Sequence, residues 1–122
     1  MKTILVVDDS RIMRNIVKNT VVEMKIPCEF LEAENGKKAY QLLETNKVSL
    51  VLLDWNMPEM DGLEFLKKVR SMPDYKDLPI IMVTSEAAKY NVVEALQCGA
   101  TDYIIKPVQE KVFREKLSEI PF

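Results

Sequence analysis

The chain has 122 residues, 48 % of them hydrophobic, and a formal net charge of −2; this suits one compact domain and offers no basic block or arm for nucleic acid. It contains no histidine and only two cysteines, Cys28 and Cys98, without CxxC spacing, which removes Ser-His-Asp and His-metal schemes and a disulfide framework. No apolar run approaches the ~20 residues of a membrane span, and acids follow the short N-terminal run at once, unlike a signal peptide, so two free thiols in a reducing cytoplasm are expected.

In chain order, ILVV at 4–7 reads as a strand and ends on Asp8-Asp9. A helix follows over 10–25, with Met13, Ile16, Val17, Val21 and Met24 at helical spacing and Ser10 at the N-cap position. FLEA at 30–33 is a second strand, the one with in–out alternation. Asn35-Gly36 then opens a helix over 35–46 with Ala39, Leu42 and Leu43 on one face. VSLVLL at 48–53 ends on Asp54, and the loop beyond it carries Pro58, Asp61 and Gly62 before a helix over 62–71 striped by Leu63, Leu66 and Val69. LPIIMVT at 78–84 ends on Thr84-Ser85. A helix over 87–98 places Val92, Val93 and Leu96 together and stops at Gly99. YIIK at 103–106 ends on Lys106-Pro107, and a final helix over 109–120 aligns Val112, Phe113, Leu117 and Ile120 against a solvated face of i,i+4 charge pairs.

Strand and helix thus alternate five times. Four of the strands lack alternation, which fits strands buried on both faces of a parallel sheet. The fold class is α/β, a doubly wound (βα)5 sheet between two helical layers with right-handed crossovers. Residues 1–122 show no linker, repeat or low-complexity tract, and one domain is expected.

Ligands of such sheets bind outside the C-terminal strand ends. There stand Asp8-Asp9, Asp54, Thr84-Ser85 and Lys106. Each alone has a plain structural explanation as a cap, a turn or a solvated strand end. Together they place three carboxylates, a hydroxyl and an ammonium on one edge. Two carboxylates ~4 Å apart repel by about 4 kcal/mol at an effective dielectric of 20. Lys106 offsets part of this, and a hard divalent cation offsets more. Mg²⁺ takes oxygen ligands, often one or two carboxylates plus a phosphate, whereas zinc would call for His or paired Cys. Asp54 therefore ends a buried strand facing a metal, placed to attack phosphorus as a carboxylate nucleophile. Lys106 and Thr84 would contact the other phosphoryl oxygens, and the small Ser85 leaves room for the group to enter.

VVDDS, LLDWNMPEMDG, MVTSE and YIIKP, in this order and at this spacing, make the whole chain resemble a response-regulator receiver domain. DWNMPEMDGLE and EAAKYNVVEALQCGATDYIIKP bring it nearest to the single-domain chemotaxis regulators. The resemblance implies the flavodoxin-like strand order 2-1-3-4-5 and a cis Lys106–Pro107 bond. It implies Asp54 as phosphoacceptor, with Asp8 and Asp9 binding Mg²⁺, one directly and the other mainly through water. Asn56 would give a backbone carbonyl to the metal. Thr84 would be the switch hydroxyl, Lys106 the phosphate-binding lysine, and Tyr103 the aromatic whose rotamer reports activation. Val108 departs from the pattern, where a bulky aromatic often follows Lys-Pro. Trp55 reads as a half-exposed packing residue and a convenient optical reporter.

The implied function is a stand-alone, monomeric two-component regulator in the cytoplasm, with self-catalysed phosphotransfer and no classical enzyme activity. It would take its phosphoryl group from a sensor histidine kinase and bind another protein, a flagellar motor-switch protein first among candidates. Lys89, Tyr90, Val93, Tyr103 and Lys116 are expected on that output face, suited to an amphipathic acidic helix. Within the family the alternative is a phosphorelay shuttle. A small Mg²⁺-dependent aspartyl-phosphate phosphohydrolase fits less well, since DDS replaces its DxD pattern. A flavodoxin fits worst, because Asp8-Asp9 stands where a phosphate loop is needed.

Overall fold

The computed structural model describes residues 1–121. Five strands, β1 (Lys2–Val7), β2 (Cys28–Ala33), β3 (Leu50–Leu53), β4 (Ile80–Thr84) and β5 (Asp102–Ile105), alternate with helices α1 (Arg11–Glu23), α2 (Gly36–Thr45), α3 (Gly62–Arg70), α4 (Lys89–Gln97) and α5 (Glu110–Ser118). All strand pairs are parallel and the sheet order is β2-β1-β3-β4-β5. The resemblance had implied this order.

Successive side chains of a strand point to opposite faces, and here both faces are covered. Leu5, Val7, Val51, Leu53, Ile80 and Met82 point toward α2, α3 and α4, where Leu43, Phe65, Val69 and Ala95 meet them. Ile4, Val6, Leu50, Leu52, Ile81 and Val83 point the other way, onto Val17 and Val21 of α1 and Phe113 and Leu117 of α5. That is why the first, third and fourth strands read as unbroken apolar runs.

Three expected patterns need correction. The fifth strand is not buried on both faces: it is the edge of the sheet, and Ile105 is 45 % exposed. On α4 the expected stripe is mostly outside. Only Ala95 is fully buried, while Val93 and Leu96 are exposed, because α4 has just β5 and the adjacent core to lie on. Ile16 and Val112 likewise face outward from α1 and α5.

Local signals set most boundaries. The Ser10 hydroxyl accepts the Met13 N–H at 3.3 Å and opens α1, and Asn35 accepts the Lys38 N–H at 2.8 Å and opens α2. Asp61 and Glu64 form a reciprocal capping box on α3. α4 has no side-chain cap and starts at Lys89, two residues later than expected. A single 3₁₀ turn, Pro73–Tyr75, was not anticipated. Gly99, at φ +108°, turns the chain out of α4 while the Arg70 side chain packs where its Cβ would stand. Arg70 also donates to the Gly99 and Tyr75 carbonyls at 2.8 and 2.6 Å, tying α3 to the loop before β5. Both cysteines are free and half-buried, as expected. No helix among the described residues is long and apolar enough to cross a membrane.

Candidate functional site

The parallel register carries the ends of β1, β3, β4 and β5 to one edge. Asp8 is bound on every side. Its N–H donates to the Ala33 carbonyl at 3.1 Å, and its own carbonyl accepts from Arg14 Nη1 at 2.6 Å. Carboxylate Oδ1 accepts the Ser10 N–H at 2.9 Å, and Oδ2 accepts from Lys106 Nζ at 2.8 Å. Asp54 hangs its N–H on the Val7 carbonyl at 2.9 Å and receives the Trp55 N–H on Oδ1 at 2.8 Å. Its Oδ2 lies 3.5 Å from Lys106 Nζ. Asp8 and Asp54 are buried and Asp9 is exposed. One carboxylate oxygen from each of the three lies within 4.8 Å of the others.

This geometry is electrostatically unfavourable by itself. Burial pushes the Asp54 carboxyl above its ordinary value, and the Asp8 charge adds to the rise; Lys106, the Thr84 hydroxyl and the Trp55 N–H oppose it. One ammonium bridges two buried carboxylates, and a third waits at the rim. An all-oxygen set of excess negative charge is what a hard divalent cation requires. The oxygens of Asp8 and Asp54 already hold protein partners, and the exposed Asp9 has the greatest freedom to turn toward a cation.

The loop after Asp54 is shaped by Gly62. Its N–H donates to the Trp55 carbonyl at 2.8 Å, and a Cβ there would overlap the Asp54 carbonyl. Thus Asp61-Gly62 positions the carboxylate through the main chain: Asp61 caps α3, and Gly62 lets the helix start press on the strand end. Trp55 is half-exposed as expected.

Thr84 is fully buried and its Oγ1 accepts the Glu86 N–H at 3.3 Å; Ser85 is exposed. Lys106–Pro107 is cis, as the resemblance implied. Tyr103, expected on the output face, is buried, and its hydroxyl donates to the Glu86 carbonyl at 2.6 Å. Burial first, then Glu86 and Asp54, push that phenol up to about 12. The Asn56 side chain donates to Glu86 Oε1 at 2.6 Å. Lys89, Tyr90 and Val93 are exposed on α4, but Lys116 is half-buried and ion-paired to Asp102.

Three residues escaped sequence reasoning. Glu86 joins Asn56, Thr84, Asn91 and Tyr103 into one network, yet its partners are spread along the chain without local pattern. Asp102 is similarly silent before folding. Arg14 binds the Asp8 carbonyl while its Nε donates to Glu32 at 3.0 Å, and Lys18 reaches the same carboxylate at 2.9 Å. Lys18 first, with Arg14, holds that carboxyl below the usual range. Glu32, near the end of β2, thus braces the acidic edge from behind. Outer partners of this kind typically matter 10–100-fold to metal affinity. Arg14→Ala should therefore weaken Mg²⁺ binding about ten-fold in a Trp55 fluorescence titration, with Arg14→Lys recovering part. Unchanged affinity for Arg14→Ala would make the contact purely a packing one.

Comparison with known proteins identifies the family of the chain. Residues 4–118 match the model of the response regulator receiver domain. The chain is 49 % identical over 118 residues to a chemotaxis protein CheY homolog of Campylobacter jejuni, covering 96 % of this chain and 90 % of that one. It is 48 % identical to the chemotaxis protein CheY1 of Helicobacter pylori, with 96 % and 94 % covered. Among solved structures, the chemotaxis protein CheY4 of Vibrio cholerae superimposes with a TM-score of 0.87 at 32 % identity, over 98 % of both chains. The Mn²⁺-bound form of response regulator Rcp1 does so at 0.83 and 25 % identity, over 98 % of this chain and 91 % of that one.

Proposed function

This chain belongs to the response regulator receiver family, and from that premise we propose that it is a stand-alone chemotaxis regulator phosphorylated on Asp54. It is a signalling regulator and not a classical enzyme. The observation that carries the reading is the meeting of Asp8, Asp9 and Asp54 with Lys106 at one edge of the sheet.

In the proposed reaction a sensor kinase presents a phosphohistidine. An Asp54 carboxylate oxygen forms a bond to phosphorus as the P–N bond breaks, and the imidazole leaves with the electron pair. Asp8, Asp9, Asp54 and the backbone carbonyl of Asn56 would hold Mg²⁺, which neutralises charge on the phosphoryl oxygens. The Mn²⁺ on Rcp1, a receiver of the same fold, supports a divalent cation here. Lys106 exchanges carboxylate contacts for a phosphoryl oxygen, and Thr84 donates to another. Exposed Ser85 leaves the entry open. Water later hydrolyses the acyl phosphate.

Output follows from Thr84. When its hydroxyl turns to the phosphoryl group, the Glu86 loop and Tyr103 must readjust, because all three are hydrogen-bonded. The change surfaces on α4, β5 and α5, around Lys89, Tyr90, Val93 and Lys116. A flagellar motor-switch protein, docking an amphipathic helix there, is the proposed target; the relatives' chemotaxis names support it.

The test is a fluorescence-anisotropy titration of a motor-switch N-terminal peptide, with and without beryllofluoride and Mg²⁺. Peptide and beryllofluoride should strengthen each other's binding by the same factor. Equal peptide affinity in both conditions, or a footprint around α2, would reject this target and favour phosphorelay shuttling.

A further inference from the structure

We infer that Asp102 sets the charge of the α4–β5–α5 face, so that the face selects a partner by apolar contact and not by its acidic residues. This rests on the docking reading just given. The sequence places Lys116 on that face, among residues suited to an acidic helix. In the structure Lys116 Nζ lies 3.1 Å from Asp102 Oδ1. The same oxygen accepts the N–H of Tyr103 at 2.8 Å. The carboxylate is therefore anchored to the main chain of β5, immediately before the buried tyrosine, and holds Lys116 across from α5.

On the other side of the face, Lys89 shares the rim of a shallow hollow with Tyr90, Val93 and Glu94. Each of these two lysines therefore stands near an acid: Glu94 lines the same hollow as Lys89, and Asp102 pairs with Lys116. An acidic residue arriving at Lys116 must displace Asp102 and then sit beside that displaced charge. What the face offers without such competition is apolar. Tyr90 is 75 % exposed on α4, Ile105 is 45 % exposed on β5, and Val93 and Val112 are exposed beside them. The occupant this chemistry fits is one amphipathic helix whose apolar anchors cross from α4 to α5, with few acids on its flanks. Binding of that kind depends weakly on salt, since exposed charge pairs are what salt screens.

The experiment uses two labelled peptides of the same amphipathic sequence, one with Glu and the other with Gln at its flanking positions. In the intact protein with beryllofluoride and Mg²⁺, both should bind within about two-fold of each other. Asp102→Asn should tighten the Glu peptide by about two- to five-fold, the scale of one exposed ion pair, and leave the Gln peptide unchanged. Adding Lys116→Ala to that variant should cancel the gain. Asp102 is half-exposed, so the variants should melt like the parent. A parent that already prefers the Glu peptide by more than five-fold, with Asp102→Asn changing nothing, would overturn the role of Asp102. So would a gain that survives Lys116→Ala. If beryllofluoride tightens neither peptide, the docking reading itself falls, and the role of Asp102 with it.

Discussion

Asp54→Asn should abolish acyl phosphate formation and, in metal-free protein at neutral pH, raise the melting temperature. The first effect is the loss of the proposed nucleophile: acetyl phosphate with Mg²⁺ should give one hydroxylamine-labile adduct on the parent and none on the variant. The second follows from linkage. Burial and Asp8 raise the Asp54 carboxyl above its ordinary 3.8, so over that window the folded state binds more protons than the unfolded one. Stability then falls as pH rises through the folded value, and the whole penalty is present at pH 7. Two charges separated by the 4.8 Å limit of the cluster repel by about 3 kcal/mol at an effective dielectric of 20. Lys106 recovers part of that, leaving roughly 1–2 kcal/mol, or about 3–8 °C for a domain of this size. The gain should shrink on acidification toward the ordinary carboxylate value, where the parent sheds its charge. A Ser85 or Thr84 adduct in the parent, or a lower melting temperature for the variant at neutral pH, would overturn the assignment.

Lys106→Met should do the reverse. Lys106 Nζ is 2.8 Å from Asp8 and 3.5 Å from Asp54, with its side chain only 16 % exposed. Removing one partner of such a group leaves uncompensated buried charge, at a cost of about 3–5 kcal/mol. Metal-free Lys106→Met should therefore melt well below the parent. Millimolar Mg²⁺ should recover most of the loss, because a cation that binds only the folded chain stabilises by mass action. Lowering the pH should recover stability too, as the Asp54 carboxyl, already held above its ordinary value by burial and the Asp8 charge, becomes neutral. The variant should also lose the coupling between beryllofluoride and peptide. A deficit indifferent to both Mg²⁺ and pH would mean that Lys106 contributes packing and not charge. Opposite shifts from Asp54→Asn and Lys106→Met have one cause: the site holds more negative charge than its single lysine balances.

The sequence by itself determined the architecture and the chemistry of the edge. The apolar runs of β1, β3 and β4, with no alternation, required two covered faces, and five strand–helix alternations required a parallel sheet. Asp8, Asp9, Asp54, Thr84 and Lys106 were legible because each ends an apolar run. A parallel sheet brings such ends together whatever lies between them. The strand order came from the family resemblance, since periodicity does not rank strands across a sheet. Tertiary structure alone decided which outward positions remain outward. Val93, Leu96 and Ile105 have the same side chains as core residues, and only the edge position of β5 leaves them exposed. It also decided pairing among polar groups far apart in the chain. Glu86 meets Asn56 across 30 residues, Arg14 meets Glu32 across 18, and Lys116 meets Asp102 on the neighbouring strand. Such pairs follow no local period, because their geometry is set by how whole elements pack. A surface charge such as Lys116 is assigned its partner only when the helices are laid on the sheet.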